Sequence, residues 1–322
     1  MTTKDAQTAK SQKGSVLIIV LWTSVLLTVL VTAMAGKVRL AAQTVAHNQH
    51  VSTHWAAVMG SVHQAEMELM LEMMAPPIDQ EVKLTEEGEA RNPRYRFNGQ
   101  PLTLHYPQAE EMVVRIYDHA GKINLNRIPR RNMQMLIEKR LGGLDADPEQ
   151  VQDLLSAWTD WTDLNNLEGL NGAEEDYYQS LDLGYSPRNN PELDTVEEIL
   201  HIRGFAELLE GDNLEAAFTI YGNNRSVNLN LATREAMALL PGLDEALIEN
   251  ILAFREIEDI NNRAEVGEIV PFENLQELSA WIGTNTSQIY SVYVYPRAVL
   301  SEAQQLALEI AHRARPARRR RS

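Results

Sequence analysis

Residues 15–35, SVLIIVLWTSVLLTVLVTAMA, form an apolar stretch that contains no charged residue. Basic residues lie on both sides of this stretch: Lys4, Lys10, Lys13, Lys37 and Arg39. At about 1.5 Å per residue, a helix of this length spans the roughly 30 Å hydrocarbon layer of a bilayer. Basic residues favour the cytoplasmic side of a membrane, so the preceding lysines predict a cytoplasmic N-terminus and an exported body.

A cleaved secretory signal is the alternative interpretation of the same stretch. Such signals have an apolar core of about 7–15 residues, followed by a cleavage site with small residues. Ala33-Met34-Ala35 has the form of such a site. The apolar run before it is too long for a signal, however, so the sequence favours a retained single-pass membrane helix.

The charge of the chain is concentrated in an acidic body and a basic C-terminal tail. The 322 residues include 29 Lys and Arg against 45 Asp and Glu, which gives a net charge of −16. Six arginines lie within residues 313–322, so the rest of the chain carries a charge of −22. Such a body is unsuited to a broad phosphate-binding surface and better suited to divalent cations or basic partners. The absence of cysteine excludes disulfides and thiolate metal sites.

The helical pattern continues beyond the apolar stretch, through residues 36–75, until Ala75-Pro76-Pro77 ends it. This segment is predicted to be the exported half of a long spine helix. Three histidines share one face of that half: His47, His50 and His54. Imidazoles at this spacing can bind a metal, but no acidic or fourth ligand accompanies them, which favours a solvated stripe.

Two groups of predicted strands flank a long helical segment. YRF (95–97), LTLHY (102–106) and MVVRIYD (112–118) alternate apolar and polar residues, with Asn-Gly and Pro between them. IYSVYVY (289–295) and QLALEIAHR (305–313) alternate as well, although the second favours helix by composition. We therefore predict an antiparallel sheet from residues 76–122 and 287–313, interrupted by a helical insertion at 123–286. A basic tail, residues 314–322, follows and is suited to anionic lipid, nucleic acid, an acidic partner or solvent.

The predicted insertion contains a short internal repeat. INLN at 123–126 recurs as VNLN at 227–230, and a helical pattern follows each copy. This repeat divides the insertion into two units, 123–220 and 227–286. The asparagines are predicted to cap the helices that follow. The second unit runs through Pro241-Gly242-Leu243 into another helix, which resembles a helix-hairpin-helix.

One acidic stretch in the first unit has the composition of a cation site. It consists of WTDWTDLNN (158–166) followed by GAEEDYY (172–178). Asp160 and Asp163 are one helical turn apart, and the intervening LEGLNG loop is able to return Glu174 and Asp176 towards them. Ca²⁺ requires six to eight oxygen ligands, which such a loop supplies, although the spacing is not that of an EF-hand. A solvated acidic loop is the alternative.

The N-terminus resembles the prepilin signal of type IV pilins and type II secretion pseudopilins. The basic leader, residues 1–14, ends in Lys13-Gly14 directly before the apolar helix. The resemblance implies that prepilin peptidase cleaves after Gly14 and leaves Ser15 as the mature N-terminus. Family members usually have Glu at the fifth mature position, where this chain has Ile19. A subunit without this acid is not expected in an ordinary filament position.

The missing acid and several further motifs resemble the general secretion pathway protein K (GspK) family of minor pseudopilins. These motifs occur in the family's order: KGSVLIIVLW, GKINLN, WTDWTD, GAEEDYY, LDTVEEILHI and VNLNLATREAMALLPGL. The resemblance implies an α+β fold, in which a pilin-like antiparallel sheet carries a large inserted α-helical domain. It also implies structural calcium, which we assign to Asp160, Asp163, Asn165, Glu174 and Asp176. The implied partners are prepilin peptidase, the inner membrane and other minor pseudopilins of a tip complex.

The resemblance predicts a pseudopilus-tip subunit of a type II secretion system that helps to initiate assembly. A membrane-anchored DNA-uptake or competence protein is one alternative, because pilin leaders and helix-hairpin-helix units both occur there. A minor tip pilin of a type IV pilus is another. Nucleic-acid binding is not expected, since Asp244 and Glu245 stand where a phosphate would approach the hairpin. Catalysis is not expected either, because no phosphate loop, dinucleotide fingerprint, HExxH or GxSxG motif is present.

Overall fold

The computed structural model describes residues 13–72, 97–102 and 112–297. Helix α1, Lys13–Glu72, includes the apolar stretch and its predicted continuation. By length and composition it is able to cross a membrane, with a mean hydropathy of 2.6 in its most apolar window. The predicted end at Ala75-Pro76-Pro77 lies outside the described residues. The chain divides into two compact units, Met1–Gly60 and Ser61–Ser322.

Three antiparallel strands form the sheet of the compact unit Ser61–Ser322. They are β1 (Asn98–Pro101), β2 (Met112–Asp118) and β7 (Tyr290–Pro296), in the spatial order β1-β2-β7. The ladder runs without a break from Met112 opposite Pro296 to Asp118 opposite Tyr290. Two neighbouring strands of this sheet are therefore joined by the whole helical segment. The predicted strands MVVRIYD and IYSVYVY are confirmed.

The Asn-Gly break predicted before these strands was wrong, because NGQP forms β1. Gly99 has φ +82°, and a Cβ there would lie 2.0 Å from the Tyr117 ring. The glycine thus allows the aromatic ring to cover the strand, and the pairing register shifts at this point. Phe97, the last residue of YRF, packs in the core of the sheet. The rest of YRF, most of LTLHY, and QLALEIAHR lie outside the described residues.

Short helices and two-residue strands build the segment between β2 and β7, around one continuous apolar core. The helices are α2 (Arg130–Arg140), α3 (Pro148–Trp161), α4 (Glu175–Ser180), α5 (Phe205–Leu208), α6 (Leu214–Ala217), α7 (Arg234–Leu239), α8 (Glu245–Ile257), α9 (Arg263–Ile269) and α10 (Phe272–Leu278). The strands are β3 (Ile123–Asn124), β4 (Phe218–Thr219), β5 (Val227–Asn228) and β6 (Ile282–Gly283).

The two NLN motifs occupy equivalent positions in two units of this segment. β3 pairs with β4 and β5 pairs with β6, both in parallel, so each unit begins and ends on a paired strand. The side-chain amides of Asn124 and Asn228 donate to carbonyls just beyond the partner strand: Tyr221 and Gly222 in the first unit, Thr284 and Asn285 in the second. The repeat in the sequence is therefore also a repeat in the fold.

The second asparagine of each motif holds a distant peptide group. Asn126 accepts from the N–H of Leu193 and donates to its carbonyl, and Asn230 makes the same pair of hydrogen bonds to Ile260. The predicted role of these asparagines as helix caps was wrong. α2 begins after Pro129 without a side-chain cap, and Thr233 caps α7.

The units differ in the connection that follows their second helix. In the second unit α8 ends at Ile257, and Ile260 follows within three residues. In the first unit the segment 162–192 separates α3 from the equivalent residue, Leu193. Most of the acidic stretch therefore lies in a long connection that the second unit lacks.

Candidate metal centre

Helix α3 places the first carboxylate of the acidic stretch. Asp147 caps the helix by accepting from the N–H of Glu149, and Pro148 occupies the first turn. One face is apolar at helical spacing and is buried in the core: Val151, Leu154, Leu155, Trp158 and Trp161. Asp160 lies in the last turn between the two tryptophans and is only 3% exposed. Its position on this helix explains why it is buried.

A tight turn wraps around the Asp160 carboxylate. Its oxygens accept from the backbone N–H groups of Gly169 (3.1 and 3.2 Å) and Ala173 (2.9 Å). A Cβ on Gly172 would lie 1.7 Å from Oδ2 of Asp160. A glycine is therefore required for the turn to approach the carboxylate so closely.

Glu174 follows this turn, and its carboxylate lies near those of Asp160 and Asp163. Its side chain is 4% exposed, and neither carboxylate oxygen has a hydrogen-bond partner in the described chain. Oxygen atoms of Asp160, Asp163 and Glu174 lie within 4.8 Å of one another. Buried polar groups almost always have a partner, so a carboxylate without one among the described residues indicates a bound group such as a cation.

The electrostatics of the cluster are unfavourable without a cation. Burial, followed by the negative charges of Asp160 and Asp163, raises the pKa of Glu174 to about 7. Glu168 in the loop adds to this effect, and sequence reasoning did not single it out. A divalent cation would relieve both the desolvation and the repulsion, and a set of carboxylate oxygens suits Ca²⁺.

Of the other two predicted ligands, one contacts the cluster and the other is exposed. Asn165 is exposed, and its backbone and side-chain N–H groups both donate to the Asp163 carboxylate. Asp176 is exposed on α4. Of the five predicted ligands, the structure thus brings three together, while Asn165 orients one of them.

The remaining sequence-predicted residues lie on α1. His47, His50 and His54 are exposed and do not belong to any cluster of three ligand groups within the described residues. Gly14 and Ser15 are in the first turn of the helix. Ile19 is exposed, as are its apolar neighbours along the apolar stretch.

Comparisons with known proteins find similarity in the region of the acidic stretch. Residues 121–210 match the family model described as type II secretion system (T2SS), protein K. One chain of the crystal structure of the GspK–GspI–GspJ complex from the enterotoxigenic Escherichia coli type 2 secretion system is also similar. That match has 14% identity and a TM-score of 0.46, and covers 77% of this chain and 88% of the other. No curated protein matches.

The family model spans the first NLN motif, α2, α3, the acidic turn and α4, which is the region that holds the carboxylate cluster. Residues 121–210 are thus similar to the type II secretion system protein K family.

Proposed function

We propose that this protein is a minor pseudopilin of a type II secretion system, and that it works by assembly rather than by catalysis. The observation that carries the proposal is the family match over residues 121–210, in a chain that also has an apolar N-terminal helix. The helix would anchor the protein in the inner membrane, with its N-terminus in the cytoplasm and its body in the periplasm. Counterparts of GspI and GspJ would be its partners, as they are in the similar complex.

A place at the pseudopilus tip is the position that this chain fits best. Ile19 offers no carboxylate to a neighbouring subunit, and an unpaired acid in hydrocarbon would be costly. The helical segment between β2 and β7 adds bulk that ordinary packing along a filament would have to accommodate. Both features favour a subunit that begins the assembly and carries nothing above it.

The hairpin in the second unit is better suited to internal contacts than to DNA. The Lys139 ammonium donates to the carbonyls of Leu240 and Leu243, and Asn274 donates to that of Gly242. Asp244 caps α8 by accepting from the N–H of Leu247. The turn thus presents a carboxylate and tethered carbonyls, which disfavours the DNA-uptake alternative.

The leader provides the test of this proposal. We expect mass spectrometry of the protein from cells to find Ser15 as the N-terminus. Gly14→Val should block cleavage, and the uncleaved subunit should assemble poorly. Secretion of a reporter protein should fall by about tenfold or more, which corresponds to a loss of about 1.4 kcal/mol in the assembly step. Gly36→Ala is the control, because a Cβ there has open space on the same helix. A mature N-terminus at residue 36, or normal secretion by Gly14→Val, would contradict the proposal.

We further propose that the carboxylate cluster holds a structural Ca²⁺. Asp160, Asp163 and Glu174 would bind it, and the ion would neutralise a buried acidic turn. The unpartnered oxygens of Glu174 support this fit. Cation binding would thereby stabilise α3, the turn and α4 as one unit.

Thermal unfolding of the full chain in detergent micelles tests the calcium proposal. At a free Ca²⁺ concentration of about 100 Kd, binding to the native state adds about 2.7 kcal/mol. For a domain of this size that corresponds to an increase in Tm of roughly 5–10 °C relative to a chelator. Mg²⁺ should give a smaller increase, because it requires a stricter octahedral geometry. An unchanged Tm would refute the proposal.

A further inference from the structure

We infer that Arg203 is a positioning residue for the carboxylate cluster, and that it sets the cation affinity of this site without touching the cation. The inference rests on the calcium proposal above. Arg203 lies after the helical turn Glu197–His201, more than 25 residues beyond the last carboxylate of the cluster. The sequence gives no sign that it belongs to the site.

The Arg203 guanidinium joins helix α3 to the turn within the acidic stretch. It donates to the carbonyl of Gly172 at 2.8 Å and to that of Asn171 in the turn, and to the carbonyl of Asp153 on α3 at 3.2 Å. The turn and the helix that bears Asp160 are therefore held by one planar group. Because Glu174 follows Gly172 by two residues, these hydrogen bonds also limit where its carboxylate lies.

The same residue fixes the helix that follows the cluster. The guanidinium lies over the Tyr177 ring, 5.3 Å from its centroid, and the backbone N–H of Arg203 donates to the Tyr178 hydroxyl at 3.1 Å. Both tyrosines are on α4, which begins directly after Glu174. Arg203 thus contacts the element before the cluster, the turn within it and the element after it.

These contacts require the shape of a guanidinium and not only its charge. Every hydrogen bond that the structure gives this side chain goes to a backbone carbonyl, and none goes to Asp160, Asp163 or Glu174. A fork of fixed geometry can hold three carbonyls and lie flat on a ring, whereas an ammonium acts as a point charge. Asn171 is also at φ +58°, in the left-handed region that asparagine adopts more readily than most non-glycine residues.

Arg203 therefore acts on the cation site through the backbone of the turn. Without it, the turn would relax away from α3, and the Glu174 carboxylate would turn towards solvent. The site would retain its three carboxylates but would lose their common geometry. Metal sites depend on such supporting contacts, whose removal typically weakens binding about 10–100-fold.

The test uses the full chain in detergent micelles, titrated with Ca²⁺ and with Tb³⁺. Arg203→Gln and Arg203→Lys should both weaken binding about tenfold or more. At saturation, the Tb³⁺ luminescence lifetimes in H₂O and D₂O should show at least about one more bound water than in the wild-type protein, because a displaced ligand is replaced by solvent. This second measurement separates a change in site geometry from a general loss of stability.

Arg140→Gln is the matched control. Arg140 also donates to a carbonyl, that of Leu208, and pairs with Asp212, but it does not contact the acidic turn. Its substitution should lower Tm and leave the Ca²⁺ affinity and the Tb³⁺ hydration unchanged. Wild-type affinity and hydration in Arg203→Gln would overturn the role of Arg203 while the calcium proposal stood. A wild-type protein that binds neither ion would overturn both.

Discussion

At pH 8 and in the absence of calcium, Glu174→Gln is expected to unfold at a higher temperature than the wild-type protein. Burial and the neighbouring carboxylates raise the pKa of Glu174 to about 7 from an ordinary value of 4.5. A raised pKa means that the folded state holds a proton which the unfolded state has released. The associated stability is therefore fully present below about pH 4.5 and is lost as the pH rises through about 7.

The magnitude of this effect follows from the size of the shift. Each pKa unit corresponds to about 1.4 kcal/mol, so ionised Glu174 destabilises the calcium-free protein by at most about 3.5 kcal/mol well above pH 7. A glutamine has the same shape without the charge, and so avoids this cost at every pH. The advantage of the variant should vanish near pH 4, where the wild-type carboxyl is protonated in both states.

Calcium should reverse the order of the two proteins. With the ion present the wild-type protein gains its binding energy, whereas Glu174→Gln lacks one of the three carboxylates and gains little. Glu175→Gln is the control, since its side chain bonds Gln179 and Asn166 outside the cluster. Thermal unfolding between pH 4 and 8, with calcium or a chelator, provides the comparison. A difference between Glu174→Gln and wild type that does not change with pH would exclude the proposed electrostatic cause.

Sequence spacing predicted which carboxylates lie together in this site, but not where the neighbouring side chains lie. Asp160 and Asp163 are one helical turn apart, and a loop rich in glycine was correctly expected to return Glu174 to them. The positions of Asn165 and Asp176 could not be predicted in this way, because the directions of their side chains depend on the local turn. The N–H groups of Asn165 close a turn onto Asp163, and α4 begins in an orientation that leaves Asp176 exposed.

In the fold as well, features set by neighbouring residues could be predicted, and contacts between distant residues could not. The alternating strands β2 and β7 and the repeated NLN motif were visible in the sequence. The role of each motif was not, because its partners are far along the chain. Asn126 holds a peptide group 67 residues away, and Asn230 holds one 30 residues away. A helix cap is the usual local use of asparagine, and here long-range pairing replaced it.

The second large effect is expected at Gly121, where the sheet meets the helical segment. Gly121 ends the helical turn His119–Gly121 that links β2 to β3. A Cβ at this position would lie 2.2 Å from the carbonyl oxygen of Leu231, which belongs to the second NLN unit. Since the obstacle is backbone on a neighbouring segment, no side-chain rotation can relieve the contact.

His119, two residues earlier, prevents the turn from moving to relieve this contact. Its two ring nitrogens lie 2.6 Å from the Thr219 hydroxyl on β4 and 2.8 Å from the Ser291 hydroxyl on β7. Burial and the nearby charge of Lys122 lower the pKa of His119 to about 4, so the ring is neutral at pH 7. Movement of the turn would break these buried hydrogen bonds, each of which costs about 1–3 kcal/mol when a partner is left unsatisfied.

Gly121→Ala should therefore lower the free energy of unfolding by about 2–4 kcal/mol, which is large for the addition of one methyl group. Gly142→Ala is the control, because a Cβ there meets no atom within 4 Å and only the left-handed backbone, φ +110°, opposes it. That conformational cost is about 1 kcal/mol. Urea unfolding of the full chain in micelles measures both variants. A larger loss of unfolding free energy at Gly121 would show that the turn cannot move away from the second NLN unit. Equal losses in the two variants would show that the turn moves freely and would contradict the prediction.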